Sequence, residues 1–145
     1  MKIINQISAG GIVYKKSEDV LWLICQHSQH KGWVFPKGLV GDHTPGESME
    51  LAALREVEEE GGIKAKIVDD QPVKTFYQYY WQGDLIKKTV YYFLMEYLSG
   101  DPKNHDWEVS EAKFLTTNEV KKILTYPSDK QAFEEILKKY EKINS

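Results

Sequence analysis

The sequence predicts an α+β fold, and three observations carry that prediction. β-Branched and aromatic residues gather in short runs bounded by turn formers. Residues 47–60 are strong helix formers with no internal glycine or proline, and Gly61-Gly62 supplies the stop. Near the C-terminus, Phe133, Ile136, Leu137 and Tyr140 follow the i, i+3, i+4, i+7 spacing of an amphipathic helix whose other face is lysine and glutamate.

Taken in chain order, residues 7–14 and 21–26 read as strands around a polar turn at 15–19, together a hairpin. Trp33-Val34-Phe35 is a short aromatic strand stopped by Pro36. A loop of glycine and turn formers, 38–46, leads into the helix over 47–60. Strands follow at 67–68, 75–81 and 85–97, the last two joined at Gln82-Gly83-Asp84, and one more at 112–115. A short helix over 118–124 and the amphipathic helix close the chain, which shows no repeat, low-complexity tract or linker. At 145 residues, one domain over 1–145 with a single core is expected.

Composition excludes several classes. With 41% hydrophobic and 28% charged residues the chain has the balance of an ordinary soluble protein. No segment approaches the roughly 18 consecutive apolar residues of a membrane helix, and the N-terminus lacks the pattern of a signal peptide. A cytoplasmic location without membrane contact is therefore expected. A net charge of −3 and a pI near 5.8 argue against a binder of nucleic-acid backbone. The lone Cys25 lies in the apolar run Val20-Leu21-Trp22-Leu23-Ile24-Cys25, which predicts a buried structural thiol. The charge is uneven: four glutamates fall within residues 56–60, and lysines dominate 121–142.

That acidic focus is chemically informative. On a helix at roughly 100° per residue, Glu56, Glu59 and Glu60 fall within one sector and Glu58 points away. Like charges at these spacings repel, so the arrangement calls for a cation, and a hard divalent ion with oxygen ligands fits. Leu54 and Val57 occupy another sector, where they anchor the helix to the core. Arg55 adjoins the carboxylates and is placed to hold one by a bidentate pair. In Pro36-Lys37-Gly38, Lys37 offers a compact charge for phosphate oxygens and Gly38 permits close backbone approach.

The run Arg55-Glu56-Val57-Glu58-Glu59-Glu60-Gly61-Gly62-Ile63, preceded by Glu47 and Gly38, resembles the Nudix box, here spanning 38–63. Every fixed position from Glu47 to Ile63 is met. The departure is in the loop, where eight residues rather than five separate Gly38 from Glu47; an insertion of three costs little closure entropy. The resemblance implies the Nudix fold, an α/β/α sandwich with a mixed, curved sheet between helices. It also implies that Glu56, Glu59 and Glu60, with the Gly38 carbonyl, bind Mg²⁺ or Mn²⁺ as its substitute. Arg55 would orient a glutamate, Glu47 would support the junction of loop and helix, and Glu59 or Glu60 would take the proton of the attacking water. Glu108 stands about where many relatives carry a further glutamate.

The segments Trp33 to Gly38, Lys88 to Leu94 and Leu124 to Asp129 look like those of the diadenosine polyphosphate hydrolase branch. By position Tyr126 would then stack on adenine, and Tyr79 belongs to an aromatic set available to the same substrate. Lys88, like Lys37, would neutralise a phosphate chain. The expected activity is metal-dependent cleavage of a phosphoanhydride in a nucleoside diphosphate-linked substrate such as diadenosine tetraphosphate. Alternatives are a Nudix pyrophosphohydrolase of nucleoside triphosphates, ADP-ribose, RNA 5′ ends or diphosphoinositol polyphosphates, or a non-catalytic nucleotide sensor. Apart from such an RNA end, no nucleic-acid partner is expected, and the chain would be a monomer or homodimer.

Overall fold

The computed structural model describes residues 1–41 and 44–144. Its elements in order are β1 (Ile3–Lys15), β2 (Leu21–His27), β3 (Trp33–Val34), β4 (Lys37–Leu39), α1 (Met49–Gly61), β5 (Ile63–Ile67), β6 (Val73–Trp81), β7 (Asp84–Gly100), a 3₁₀ turn at Pro102–Asn104, β8 (Val109–Thr116), α2 (Thr117–Ile123) and α3 (Pro127–Ile143). All the strands join one mixed sheet with the path β3-β2-β1-β7-β5, while β4 pairs with β1, β6 with β7 and β8 with β2. The parallel contact is β1 against β7, running from Ile3↔Leu85 to Tyr14↔Glu96. The other edge of β7 is shared, β6 along its first part and β5 along its end.

Alternation along the strands creates two main cores, one on each face of the sheet, rather than the single core expected from the length. Ile12, Tyr14, Trp22, Ile24, Val90, Tyr92 and Leu94 face α2 and α3, where they meet Val120, Phe133 and Ile136. Ala9, Val13, Leu23, Phe93 and Met95 face α1, where they meet Ala52, Ala53 and Val57. The result is the expected α/β/α sandwich. Trp22 meets Phe133 and Tyr140 edge-on, with centroids 5.2 and 5.4 Å apart, so the predicted amphipathic stripe seats α3. Among the described residues, no helix is long and apolar enough to cross a membrane.

Several bounds differ from the sequence expectation. The helix expected over 47–60 begins at Met49 because the Ser48 hydroxyl caps it, accepting from Leu51 N–H at 3.2 Å. It ends where Gly62, at φ 73°, donates its N–H to the Glu58 carbonyl. The hairpin of β1 and β2 pairs at Tyr14↔Trp22 and Lys15↔Leu21 and then diverges. Beyond that point β4 takes the edge of β1, and Gly11 N–H donates to the Pro36 carbonyl. The strand β4, read from sequence as part of a loop, therefore brings Lys37 and Gly38 over α1. Of that loop, residues 42 and 43 lie outside the described residues.

Candidate active site

The last turns of α1 are organised by Arg55. Its Nε and Nη2 hold the two oxygens of Glu47 at 2.9 and 3.0 Å, a bidentate pair, and Nη1 reaches Glu56 Oε1 at 2.6 Å and Glu59 Oε2 at 3.2 Å. Glu47 also accepts from Gly41 N–H at 3.4 Å, so the guanidinium ties the loop to the helix across eight residues of sequence. Those bonds, above all to Glu47, hold the Arg55 proton even more tightly than usual.

Glu56 points inward, beneath Gly38, and is 5% exposed. A Cβ at Gly38 would stand 2.5 Å from Glu56 Oε2 and closer still to the rest of that carboxyl group, so glycine is needed for the approach. Glu60 lies beside Glu56 and accepts from Lys37 N–H at 3.3 Å. Burial pushes the Glu60 carboxyl up to about 9, the Glu56 charge adds to the shift, Lys37 opposes it, and Glu108 adds a further increment. Burial also raises Glu56, against the pull of Arg55. A buried and a half-buried carboxyl group that resist joint ionisation form a hard-oxygen donor set, which fits a divalent cation. As the side chains stand, no three His, Cys, Asp or Glu residues among those described are gathered closely enough to hold a metal ion. Glu56 and Glu60 are together, while Arg55 holds Glu59 aside.

In front of Glu60 opens a cleft of about 1030 Å³, lined among others by Lys37, Gly38, Glu60, Tyr79, Lys88, Glu108 and Tyr126. Of the residues singled out by sequence, these seven share one space, whereas Arg55, Glu56 and Glu59 stand behind it. The cleft floor is built by register: Gln6 of β1 faces Lys88 of β7, which faces Tyr77 of β6, and one step on Ile86 pairs with Tyr79. Burial and Lys37 lower Lys88, against Glu60. Burial would lower Lys37 as well, but the charges of Asp129, Tyr77, Glu60 and Tyr126 outweigh it and hold the ammonium above its ordinary value.

Three other cleft residues, Asp129, His27 and His30, were given no role by the sequence. Asp129, 4% exposed in the first turn of α3, accepts from the buried Tyr92 hydroxyl at 2.8 Å. Burial raises its carboxyl, offset by Lys37 and by the Tyr92 bond. Tyr77 and Tyr79 are near-parallel at 6.1 Å. His27 and His30 stack at 4.0 Å. Cys25 is fully buried behind the site, its Sγ 3.6 Å from the Glu60 carbonyl, and burial pushes the thiol well up.

Known proteins resemble this chain in sequence and in fold. The NUDIX domain family model matches residues 4–136. The putative mutator protein MutT4 of Mycobacterium tuberculosis is 29% identical over 141 residues, covering 92% of this chain and 55% of that protein. Nudix hydrolase 6 of Arabidopsis thaliana is 32% identical over 120 residues, 79% of this chain and 40% of that one. The chain thus spans about half the length of these curated relatives. Among solved structures, a C. elegans Ap4A hydrolase binary complex superposes with a TM-score of 0.76 at 26% identity, covering 93% of this chain and 96% of that one.

Proposed function

Because this chain belongs to the NUDIX domain family, we propose that it is a divalent-metal-dependent hydrolase of phosphoanhydrides, with a dinucleoside polyphosphate such as diadenosine tetraphosphate as its substrate. The observation that carries this reading is the cleft in which the Glu60 carboxyl, two lysines and exposed aromatic rings meet, with the buried Glu56 directly behind Glu60. The likeness to an Ap4A hydrolase over nearly its full length supports the choice of substrate.

In this reading Glu56, Glu59, Glu60 and the Gly38 carbonyl hold Mg²⁺, or Mn²⁺ in its place, with Glu59 turning away from Arg55 to do so. When bound, such an ion supplies polarisation of the bridged phosphates and a more acidic water. The chain's own groups do the rest. Lys37 and Lys88 neutralise the polyphosphate along the cleft. Tyr126 and Tyr79 offer faces for the nucleoside ends. The carboxylate of Glu59 or Glu60 takes the proton of the attacking water as its oxygen bonds to phosphorus and the P–O anhydride bond breaks. Glu108 shares the charge of that site, and Arg55, anchored by Glu47, fixes Glu56.

The test is a substrate panel with purified protein, read by chromatography: diadenosine tetraphosphate, nucleoside triphosphates, ADP-ribose, capped RNA and a diphosphoinositol polyphosphate. Release of a mononucleotide from diadenosine tetraphosphate with Mg²⁺, and none with chelator, is expected. Faster cleavage of another compound would replace the substrate but keep the chemistry. Binding without cleavage of any would make the protein a sensor.

A further inference from the structure

The turn after β2 is built around two imidazoles. His27 and His30 lie face to face, with centroids 4.0 Å apart and planes 10° apart, and the edge of His30 meets the Tyr126 ring at 5.5 Å and 75°. All three line the cleft. Each imidazole has its Nδ1 occupied by a backbone amide, Gln29 N–H to His27 at 3.1 Å and Gly32 N–H to His30 at 3.0 Å. An amide can only donate, so His30 Nδ1 is unprotonated, and the Tyr126 hydroxyl 2.9 Å away must be a donor to it. Burial lowers both histidines below the ordinary imidazole value; Lys37 adds to this at His27, and His27 and Lys37 add to it at His30.

The rest of the turn enforces this contact. His27 N–H donates to the Gly32 carbonyl and Lys31 N–H to the His27 carbonyl, with Lys31 held in the left-handed region at φ 62°. Trp33 N–H donates to Thr125 Oγ1 at 2.9 Å, and Thr125 N–H to the Trp33 carbonyl at 3.2 Å, which clamps the turn against residue 126. A Cβ on Gly32 would lie 2.8 Å from both His30 Nδ1 and Tyr126 Cε2. Gly32 is therefore the gap through which the tyrosine reaches the imidazole. Tyr126 itself, the N-terminal cap of α3, makes no capping bond with its side chain and remains 37% exposed to the cleft.

We propose that His27, His30 and Gly32 form a positioning assembly that fixes the Tyr126 ring as a platform for a nucleobase, so that recognition of the nucleoside depends on His30. The proposal rests on the reading of Tyr126 given above. His27 buttresses the far face of His30, and His30 sets the tilt of the tyrosine through its hydroxyl. The assembly acts on the base and leaves the phosphates to Lys37 and Lys88.

Calorimetric titration of the full chain with Mg²⁺ tests this, using AMP and inorganic tripolyphosphate as separate probes. His30→Ala and Tyr126→Phe should each weaken AMP by about 2- to 12-fold, the loss of one ordinary hydrogen bond, and the double variant by no more than either. His30→Asn, which restores an acceptor, should recover AMP affinity, and Gly32→Ala should lose at least as much as His30→Ala. Tripolyphosphate affinity should stay at the parent's value throughout. An unchanged AMP affinity in His30→Ala or Gly32→Ala, multiplying effects in the double variant, or an equal loss for tripolyphosphate would overturn the proposal. Binding decides these outcomes, so a parent that cleaves no compound of the panel sinks the hydrolase reading while leaving this one to be judged separately.

Discussion

Gly38→Ala places a methyl group where the Glu56 carboxyl now sits. The added Cβ would be 2.5 Å from Oε2 and nearer to the rest of that group, so the carboxyl must swing away. A glutamate tip is flexible, and in open space the move would cost little. Here it is 5% exposed and bonded to Arg55 at 2.6 Å, so the move breaks a charge-assisted bond worth about 1.5–3 kcal/mol. For 145 residues, at about 3 °C per kcal/mol, the melting temperature should fall by about 5–10 °C. The bond between the Glu56 and Glu60 carboxyl groups would be lost as well, which moves the expected fall toward the upper end. Scanning calorimetry measures it, and the rise in melting temperature on adding Mg²⁺ should disappear with the displaced ligand. The discriminating measurement is the same change made in Glu56→Ala, where the clash has no partner and Gly38→Ala should be nearly neutral. An equal loss in both backgrounds would refute the steric account and point to the backbone of β4 instead.

Glu60 ties metal binding to protons. Its carboxyl stands at about 9 in the metal-free fold against an ordinary 4.5, so the folded state holds more protons than the unfolded one between those values. The metal-free protein should therefore be stabilised by this group below pH 4.5 and lose that contribution as pH rises through about 9. Mg²⁺ binding at pH 7 should release a proton, seen as a binding heat that varies with the ionisation heat of the buffer; a heat identical in all buffers would contradict it. Glu59→Gln should lower turnover on the order of 100-fold or more with the melting temperature little changed, because its bond to Arg55 is partly exposed. Parent-like turnover would remove Glu59 from the chemistry. Tyr126→Ala should raise the Michaelis constant for a dinucleoside polyphosphate by about 5- to 150-fold, the range of one lost stacking contact, and lower turnover much less. A constant equal to the parent's would end the stacking role.

What could be read from sequence was local. The acidic helix, its glycine stop and the amphipathic stripe of α3 each lie within a few turns of chain, and helical spacing alone places their side chains. The aromatic strands β6 and β7 and their turn were legible for the same reason, although β7 runs on to Gly100, where polar Ser99 hides the pattern. The first four residues of β1, 3–6, were missed because the polar Asn5 and Gln6 interrupt the apolar run. The strand β4 is three residues long, and pairing with β1 is what makes it a strand. The parallel match of β1 to β7 leaves no local mark at all. In the site, the motif marks both Arg55 and Glu47 but not that Glu47 is the bidentate partner of Arg55, and the partners of Lys37 and Tyr126 come from distant parts of the chain. Asp129 is a commonplace first-turn aspartate until Tyr92 and Lys37 arrive beside it, and His27 and His30 look like polar turn residues until the turn folds them face to face.

The buried sulfhydryl against the end of α1 offers a built-in gauge. Since Cys25 is fully enclosed, packed with Val109 and Ala112 and resting on the carbonyl of Glu60, a thiol-directed reagent can reach it only when the packing around the end of α1 and β8 opens. Its labelling rate therefore clocks the breathing of the layer that holds the glutamates, without any engineered tag.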